Sequence, residues 1–470
     1  MITISRATAH TVRTVLKRAF GKSKFAPIWL RFLASAEGLR IQAVHDQVAI
    51  EYRLAEPQQP EEILLPLDLL TACESKKCSE PVRLRRSESG ATTAEWLDKQ
   101  IPQQQTGEVP PEKLAEFPPA PTETLENGAE LLAALAAACD TTDDQSSRYA
   151  LGCINLRGKH GSIAATDGSQ LLVQGGWTFP WQDDVLVPGN RVFNSAELTS
   201  DRPVQIGRAG DWVVLTSGPW TVCLRVQKDA RFPQIDDMVR NPDFAKSRLT
   251  ISPADAGFAL DAIKRLPVGD DDSRAVTLDL NCEVLMRARP NVATAATEVH
   301  LANSQLAGEA LRLVSDRKYL QRALALGFTH FSLMSPTAAF QANDGGRHYI
   351  WMPWDAEGAV PADVDTRRVT SPLAGTGRTK RTRRIVVKPA ETVSVATIKP
   401  SSHQKGTMTD SGASGNSPTS PIEQVTELRS TLQDVLTRTN DLLRTLKRQR
   451  KQSRLVETTL QSLKQLQQVA

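Results

Sequence analysis

The sequence contains a pattern that repeats after about 120 residues, and this repeat limits the possible fold more than any other feature. Three markers recur: a polar corner after a pair of predicted strands, a strand that ends in proline before a predicted helix, and a Phe-Pro pair after the last strand. The offsets are 121 residues for the corner (Asp46 and Asp167), 122 for the strand end (Pro66 and Pro188) and 115 for the Phe-Pro pair (Pro118 and Pro233). Repeats of this length are whole domains, because solenoid units are much shorter.

A third, looser copy of the pattern begins near residue 249. Ser252-Pro253 predicts a helix start, since serine caps the first turn and proline fits the first helical position. A second helix is predicted over Ser315–Leu326, and the segment Thr329–Trp354 alternates as a closing hairpin. Three copies fit the 470 residues, which give room for about three domains.

The helix predicted at Ser5–Phe20 in the first copy carries a cationic face. Its cations lie off the apolar stripe, and the chain has no acidic residue before Glu37. Two interpretations stay open: a solvated face, which every amphipathic helix needs, or a surface that faces phosphate groups. The alanine- and leucine-rich helix predicted over Thr124–Cys139 in the second copy has no such face.

Several functional classes are disfavoured by the sequence. No apolar run reaches the roughly 18 residues of a membrane span, and the N-terminus lacks a signal-peptide core, so we expect a cytoplasmic protein. The six cysteines form no CxxC pair and the seven histidines no HExxH motif, so we expect neither a metal site nor a cofactor. No paired carboxylates, nucleophile-base set or phosphate loop stands at a suitable spacing, so we expect no catalysis and no catalytic residues.

The charge of the chain is divided unevenly. Residues 1–358 carry a net charge of −6 and residues 359–470 a net charge of +10. Residues 359–420 are rich in Thr, Ser, Pro and Gly and contain a basic cluster, so we expect a disordered basic linker. Apolar residues at alternating three- and four-residue spacings then predict a coiled-coil helix over 421–470. A solitary amphipathic helix is the alternative, because several seam positions are polar.

Residues 1–358 resemble the bacterial sliding clamp, the beta subunit of DNA polymerase III. The motifs that carry the resemblance are Arg148-Tyr149, Ala165–Gly168, Val187-Pro188, Arg231-Phe232-Pro233 and Met352-Pro353. The resemblance implies an α+β fold in which each domain places two helices on two antiparallel sheets. It also implies that three tandem domains form half of a ring, which a second copy closes head to tail around duplex DNA, with the helices lining the hole.

The resemblance over residues 1–358, together with the composition and spacing of the residues that follow, divides the chain into five segments. They are clamp domain I (1–121), the central clamp domain II (122–247), clamp domain III (248–358), the disordered basic linker (359–420) and the coiled-coil helix (421–470).

The function that the resemblance implies is that of a non-catalytic processivity factor in DNA replication. Such a clamp is loaded by a clamp loader, forms a homodimer around duplex DNA and tethers DNA polymerase III and other clamp-binding proteins. The alternative is a scaffold that has kept the clamp fold, no longer encircles DNA and acts through its basic tail and coiled coil. A mildly acidic body with cations on particular helices fits the first interpretation, since a ring that slides needs only contacts with phosphate.

Twelve cations are expected to face DNA in such a ring. They are Arg6, Arg13, Lys17, Lys22, Lys24, Lys76, Lys77, Lys264, Arg265, Arg317, Lys318 and Arg322.

The resemblance also implies a pocket for partner peptides between the second and third domains. Its residues are Leu151, Thr166, Gly168, Ser169, Gln170, Leu171, Pro233, Met238, Met352, Pro353 and Trp354. Three positions depart from the family pattern: Ser169-Gln170 stands in place of His-Arg, Met238 in place of an aliphatic residue, and Trp354-Asp355 in place of a Met-Arg ending. These changes predict a preference for apolar anchors. The alternative is that the pocket residues are ordinary core positions.

Overall fold

The computed structural model describes residues 1–373 apart from residues 22–26, 89, 144–149, 199–200, 270–273, 355–357 and 362–364. All described residues belong to one compact unit, Met1–Arg381. The predicted coiled coil at 421–470, most of the predicted linker, and the positions Lys22, Lys24 and Arg148-Tyr149 lie outside the described residues.

The first repeat contains two helices and two groups of strands. In chain order its elements are β1 (Ile2–Ser5), α1 (Arg6–Phe20), β2 (Trp29–Ser35), β3 (Gly38–His45), β4 (Val48–Leu54), β5 (Glu61–Pro66), α2 (Leu67–Cys73), β6 (Pro81–Arg86), β7 (Thr92–Asp98) and β8 (Ile101–Thr106). Helix α1 begins where the sequence predicts, because the Ser5 hydroxyl accepts a hydrogen bond from the Thr8 amide at 2.9 Å. The helix ends at Gly21, whose φ of 65° is unfavourable for residues with a Cβ atom.

The second repeat has the same order of elements. They are β9 (Thr124–Asn127), α3 (Glu130–Cys139), β10 (Cys153–Arg157), β11 (Ser162–Thr166), β12 (Gln170–Gly175), β13 (Asp184–Pro188), a 3₁₀ helix (Arg191–Asn194), β14 (Val204–Ala209), β15 (Trp212–Ser217) and β16 (Trp220–Arg225). Two further 3₁₀ turns, Asp236–Met238 and Pro242–Phe244, follow.

Two predictions for the second repeat need correction. The helix predicted over Thr124–Cys139 starts only at Glu130, because Thr124–Asn127 pairs with β14 and Gly128 then separates strand from helix. The second helix of this repeat is a single 3₁₀ turn, Arg191–Asn194, after Pro188. The side-chain oxygen of Asn190 caps its start by accepting from the Val192 amide at 2.9 Å, and the backbone bond from the Ser195 amide to the Val192 carbonyl at 3.0 Å closes it as a 3₁₀ turn.

The third repeat again follows this order and adds two strands. Its elements are β17 (Ser247–Thr250), α4 (Pro253–Ile263), β18 (Ala275–Leu280), β19 (Val284–Ala288), β20 (Ala296–His300), β21 (Gln305–Gly308), β22 (Leu311–Asp316), α5 (Arg317–Ala325), β23 (His330–Leu333), β24 (Phe340–Asp344), β25 (Arg347–Trp351) and β26 (Thr366–Thr370).

Strand β26 contradicts part of the linker prediction. Residues 359–420 were expected to be disordered, but Thr366–Thr370 pairs with β20, and Val360 and Ser371 are buried. Composition alone could not reveal this strand, because its stability comes from pairing with an edge strand that lies far away in the sequence. The linker prediction is therefore wrong for these residues.

The strands form four sheets, and two of these sheets cross from one repeat to the next. The orders are β1-β6-β7-β8, β5-β2-β3-β4-β16-β15-β14-β9, β13-β10-β11-β12-β25-β24-β23-β17-β21 and β22-β18-β19-β20-β26. The first and second repeats are joined by the antiparallel pair β4 and β16, and the second and third by the antiparallel pair β12 and β25. The predicted α+β fold of antiparallel sheets is confirmed. The described helices are all too short or too polar to cross a membrane.

Candidate functional site

The helices of the three repeats are linked to one another in a row. Helix α2 packs on α1, α1 on the 3₁₀ helix, the 3₁₀ helix on α3, and α5 on α4, while Arg322 of α5 hydrogen-bonds to the end of α3. Hydrogen bonds fix the junction between the first two repeats: the Arg18 guanidinium donates to the Asn194 carbonyl at 2.7 Å, and the side-chain amide of Asn190 donates to the Ala19 carbonyl at 2.9 Å.

Two of the predicted DNA-facing arginines are buried and bind backbone carbonyls instead. The Arg6 side chain is 8% exposed and donates to the carbonyls of Cys73 and Leu97 at 3.0 and 2.8 Å. The Arg317 side chain is 6% exposed and donates to the Leu266 carbonyl at 2.7 Å. Burial lowers the pKa of Arg317. Both arginines stand at the start of a helix and tie it to neighbouring backbone, so their assignment to the DNA-facing set is wrong.

Arg322 joins the second and third repeats. Its guanidinium donates to the Ala137 and Asp140 carbonyls at 2.7 and 2.9 Å and to the Thr141 hydroxyl at 2.8 Å. These acceptors lie at the carboxyl end of α3, where helix carbonyls lack partners within the helix. Arg322 has a structural role instead of the predicted role in DNA binding, because its terminal nitrogens already donate to these acceptors.

Two of the other predicted cations form ion pairs with acidic side chains. Arg13 forms an ion pair with Glu74 at 3.3 Å. Lys318 lies 3.5 Å from Asp316 and 4.5 Å above the Tyr319 ring. Burial favours the neutral Lys318 amine, but these neighbours outweigh it and raise the pKa of Lys318.

Six of the predicted cations are exposed at the row of helices. They are Lys17, Lys76, Lys77, Lys264, Arg265 and Lys318. Exposed acids also occur in the row, at Asp68, Glu130 and Asp261, so the cationic surface is concentrated on α1, on α5 and at the ends of α2 and α4. Two further exposed cations of the row, Arg18 and Arg191, are not in the predicted DNA-facing set. Arg18 does belong to the cationic face that the sequence predicts for α1, whereas Arg191 lies in a part of the sequence without such a face.

The predicted peptide pocket lies where β12 and β25 join the second and third repeats. The polar corner before β12 is held by its own side chains: the Thr166 hydroxyl donates to the Gln170 carbonyl at 2.6 Å, and the Asp167 carboxylate accepts from the Ser169 and Gln170 amides at 2.8 and 2.9 Å. Gly168 has a φ of 89°, a backbone conformation that favours glycine. A Cβ atom at Gly168 would lie 3.6 Å from the Leu151 side chain, so these two pocket residues are neighbours.

Gln170, which departs from the family pattern, is part of the joint itself. Its side-chain oxygen accepts a hydrogen bond from the Tyr349 hydroxyl, and its side-chain amide donates to the Asp167 carboxylate at 2.9 Å. Tyr349 is fully buried, and burial raises its pKa. Gln170 therefore contributes to the packing of β12 against β25 and is nearly absent from the surface.

An apolar cluster lies beside this corner. Leu171 packs with Ile350 of the neighbouring strand and with Ile235, while Phe232 and Val239 are partly buried against the same cluster. The loop that carries these last residues is fixed at both ends.

One end of this loop is held by Arg157, which donates to Asp236 at 2.6 Å, and the other by Gln341, which donates to the Arg240 carbonyl at 2.7 Å. Around the cluster, Met238 and Met352 are 52% and 53% exposed. The Met352 amide donates to the Ser169 carbonyl at 3.4 Å, so this methionine lies next to the corner that precedes β12.

The structure thus divides the predicted pocket residues into two groups. Leu151, Thr166, Gln170 and Leu171 are buried, as the alternative of ordinary core positions predicts, whereas Met238 and Met352 are exposed apolar side chains. Pro233 is half-buried beside Phe232.

Trp354 is 40% exposed, but its amide donates to the Val314 carbonyl of β22 at 2.8 Å. The described contacts therefore tie Trp354 to the edge of the last sheet and give no contact with the corner.

The equivalent joint between the first and second repeats has a different character. A cleft of about 460 Å³ lies there, beside the pair β4 and β16. Its lining combines Phe117, the counterpart of Phe232, with the charged side chains of Arg40, Glu51 and Arg53. Apolar peptide anchors therefore fit the joint between the second and third repeats better.

Comparison with known proteins relates this architecture to bacterial sliding clamps. No protein-family model and no curated protein sequence matches the chain. Solved structures do match, each over 75% of this chain and 99% of the other: the DNA polymerase III beta subunit of Pseudomonas aeruginosa (TM-score 0.61, 18% identity), that of Thermotoga maritima (0.60, 17%) and the beta chain of Streptococcus pneumoniae (0.63, 16%). At sequence identities of 16 to 18%, this structural similarity establishes the fold of the chain. The sliding-clamp fold implied by the sequence motifs is confirmed.

Proposed function

We propose that this chain is a DNA sliding clamp, a non-catalytic processivity factor that encircles duplex DNA as a dimer. The observation that carries the proposal is the row of helices on a frame of sheets that continue from one repeat to the next. Three repeats joined in this way leave one sheet edge at each end of the body. Two copies joined head to tail through these ends close a ring of six repeats.

The charge distribution supports this proposal. The body of the protein is acidic, whereas exposed lysines and arginines lie on the row of helices. Long flexible lysine side chains at an interior surface can follow phosphates without reading bases, which sliding requires. The DNA-facing set that we propose is Lys17, Lys76, Lys77, Lys264, Arg265 and Lys318, all exposed.

The joint between the second and third repeats is the proposed docking site for partner proteins. The cluster around Leu171 and Ile350 gives an apolar floor, and the exposed Met238 and Met352 can adapt to a leucine or phenylalanine anchor. We propose that peptides of replicative or repair polymerases, and of a clamp loader, bind there. The buried Gln170 leaves few polar groups at this place for peptides that depend on charge.

The experiment that tests encirclement compares circular with linear DNA. The full chain is loaded on a nicked plasmid with ATP and a bacterial clamp loader, and the plasmid is separated from free protein at high salt. A clamp stays with the circle and is lost when a restriction enzyme linearises the plasmid. Equal retention on both forms would show that binding comes from phosphate contacts alone.

One observation favours the second candidate, a clamp-fold scaffold that does not encircle DNA. Strand β26 pairs with β20, a strand at one end of the body, and the chain beyond residue 358 carries a net charge of +10. A scaffold would bind linear and circular DNA equally through this basic segment. The same comparison of circular and linear plasmid therefore separates the two functions.

A further inference from the structure

Strand β26 is held along its whole length by the third repeat. It runs parallel to β20, with Cα partners from Ala296 and Thr366 to His300 and Thr370. Beyond its end, the Ser371 amide donates to the His300 carbonyl at 2.9 Å, and the Ser371 hydroxyl accepts from the Ala302 amide at 2.8 Å. Since Ser371 is buried, the segment is an integrated part of the sheet rather than a loosely attached end.

A ladder of alternating charges connects β26 to the other strands of this sheet. From one edge to the other its members are Arg312, Asp279, Arg287, Glu298 and Arg368. Arg287 contacts Asp279 and Glu298 at 2.5 and 2.6 Å, and Arg368 reaches Glu298 at 3.5 Å. Arg368 also binds Glu283 at 2.5 Å.

Glu298 shows why this ladder matters for β26. It lies on the strand next to β26 and is only 4% exposed. A buried carboxylate needs cationic partners, and Arg368 supplies the one on the β26 side. The buried negative charge of β20 is thus matched by a positive charge on β26.

The internal symmetry of the protein shows which edge β26 covers. In each of the first two repeats, the last strand of one sheet pairs with the last strand of the following repeat: β4 with β16, and β12 with β25. The equivalent strand of the third repeat is β20, and the equivalent last strand of the first repeat is β8. All residues of β8 are exposed, and Ile101 is 63% exposed. Strand β26 therefore occupies the edge that symmetry assigns to β8 of a second copy.

We infer that β26 is an intramolecular cap on the ring-closing edge of β20, and that a second copy of this chain can pair through its β8 only after β26 has left. This inference rests on the proposed ring. The exchange replaces a parallel pair of five residues with an antiparallel pair, which is slightly more stable per residue. Strand β26 competes well with β8 of a second copy because it is part of the same chain, and a tethered strand acts at an effective concentration on the order of millimolar. At micromolar concentrations the capped monomer is therefore favoured.

The test uses two substitutions in the full chain. Arg368→Glu places a like charge next to Glu283 and Glu298 and should release β26. Arg367→Glu is the matched control: it makes the same charge change one residue earlier, at an exposed side chain on the opposite face of the strand. Sedimentation should show an apparent dimer dissociation constant at least tenfold lower for Arg368→Glu than for the wild type and for Arg367→Glu. Hydrogen exchange at residues 296–300 reports whether β26 has left.

A disulfide provides the opposite perturbation. Thr297 and Arg367 are Cα partners, so cysteines at both positions, in a Cys282→Ser background, can lock β26 onto β20. The oxidised protein should stay monomeric and regain the wild-type dimer affinity when reduced. Gln104→Pro in β8 should abolish the dimer formed by Arg368→Glu, which excludes dimerisation through residues 421–470.

The outcomes separate failure of the cap from failure of the ring. If the locked and the reduced proteins dimerise equally through β8, the cap inference is wrong and the ring stands. If Arg368→Glu frees β20 in hydrogen exchange without strengthening the dimer, the cap inference is also wrong. If no variant dimerises although β20 is free, the proposed ring itself fails.

Discussion

At the scale of single residues, the structure separates arginines that hold the fold from lysines that are free to bind phosphate. Arg6, Arg317 and Arg322 bind several backbone carbonyls each, whereas Lys17 and Lys264 are exposed. Guanidinium groups suit the first task because their donors form a planar fork. The sequence predicted all of them as one class, since a cation beside an apolar stripe looks the same in both roles.

Arg322→Ala should destabilise the protein. The change removes three hydrogen bonds at the end of α3 and leaves the Ala137 and Asp140 carbonyls without this partner. We expect the free energy of unfolding to fall by about 1 to 3 kcal/mol in chemical denaturation. Lys264→Ala, at an exposed position, should change it by less than about 0.5 kcal/mol. Equal effects of both changes would contradict the structural role of Arg322.

Neutralising exposed lysines should weaken the salt dependence of DNA binding. For each of Lys17→Ala and Lys264→Ala we expect the slope of log affinity against log salt to decrease by about one unit, because each removes one phosphate contact. Lys159→Ala in the full chain is the control, since Lys159 is exposed at a turn between β10 and β11 and belongs to none of the helices. An unchanged slope in the first two variants would show that the row of helices does not face DNA.

At the scale of elements, the sequence predicted most helices and strand pairs but not the partners of isolated short strands. The caps at Ser5 and Ser252 were recognised because capping is encoded within a few residues. Strands β9 and β26 were missed because each depends on an edge that is remote in the sequence. For the peptide pocket, the sequence indicated the position of the corner, whereas the burial of Leu171 and Gln170 is decided by strands from another repeat.

A peptide of the QLxLF type should bind the joint between the second and third repeats. We expect micromolar affinity for the full chain and a loss of about tenfold, roughly 1.4 kcal/mol, in Leu171→Ala or Met352→Ala. Met352→Ala is the cleaner variant because this side chain is exposed. Val292→Ala, at another exposed apolar residue, is the control. Undiminished binding in both pocket variants would place the peptide surface elsewhere.

The charge ladder should make the last sheet sensitive to acid. Burial opposes ionisation of Asp279, but hydrogen bonds from Arg287 and Arg312 prevail and lower its pKa below the usual 3.8. A lowered folded-state pKa contributes stability above the unfolded value, and this contribution is lost as pH falls through the folded value. Asp279→Asn should therefore be less stable than the wild type at neutral pH, and the difference in melting temperature should narrow below about pH 4. A difference independent of pH would contradict the ladder.

At the scale of the whole molecule, the repeat that is visible in the sequence becomes a frame in which equivalent strands pair at both joints, β4 with β16 and β12 with β25. The offsets between Asp46 and Asp167 and between Pro66 and Pro188 reflect equivalent corners and strand ends in the first two repeats. The sequence could predict three units, because the markers recur. It could not predict that the β20 edge of the third unit is covered, since β26 has no counterpart in the other two repeats.

Encirclement and sliding distinguish the proposed clamp from a protein that merely binds phosphate groups. The most direct measurement loads the full chain on a nicked plasmid, linearises the plasmid, and compares open DNA ends with ends blocked by biotin and streptavidin. A sliding ring is lost from open ends and retained when both ends are blocked, at a salt concentration that removes simple phosphate binding. The same loss from blocked and open ends, or the same retention on both, would contradict encirclement.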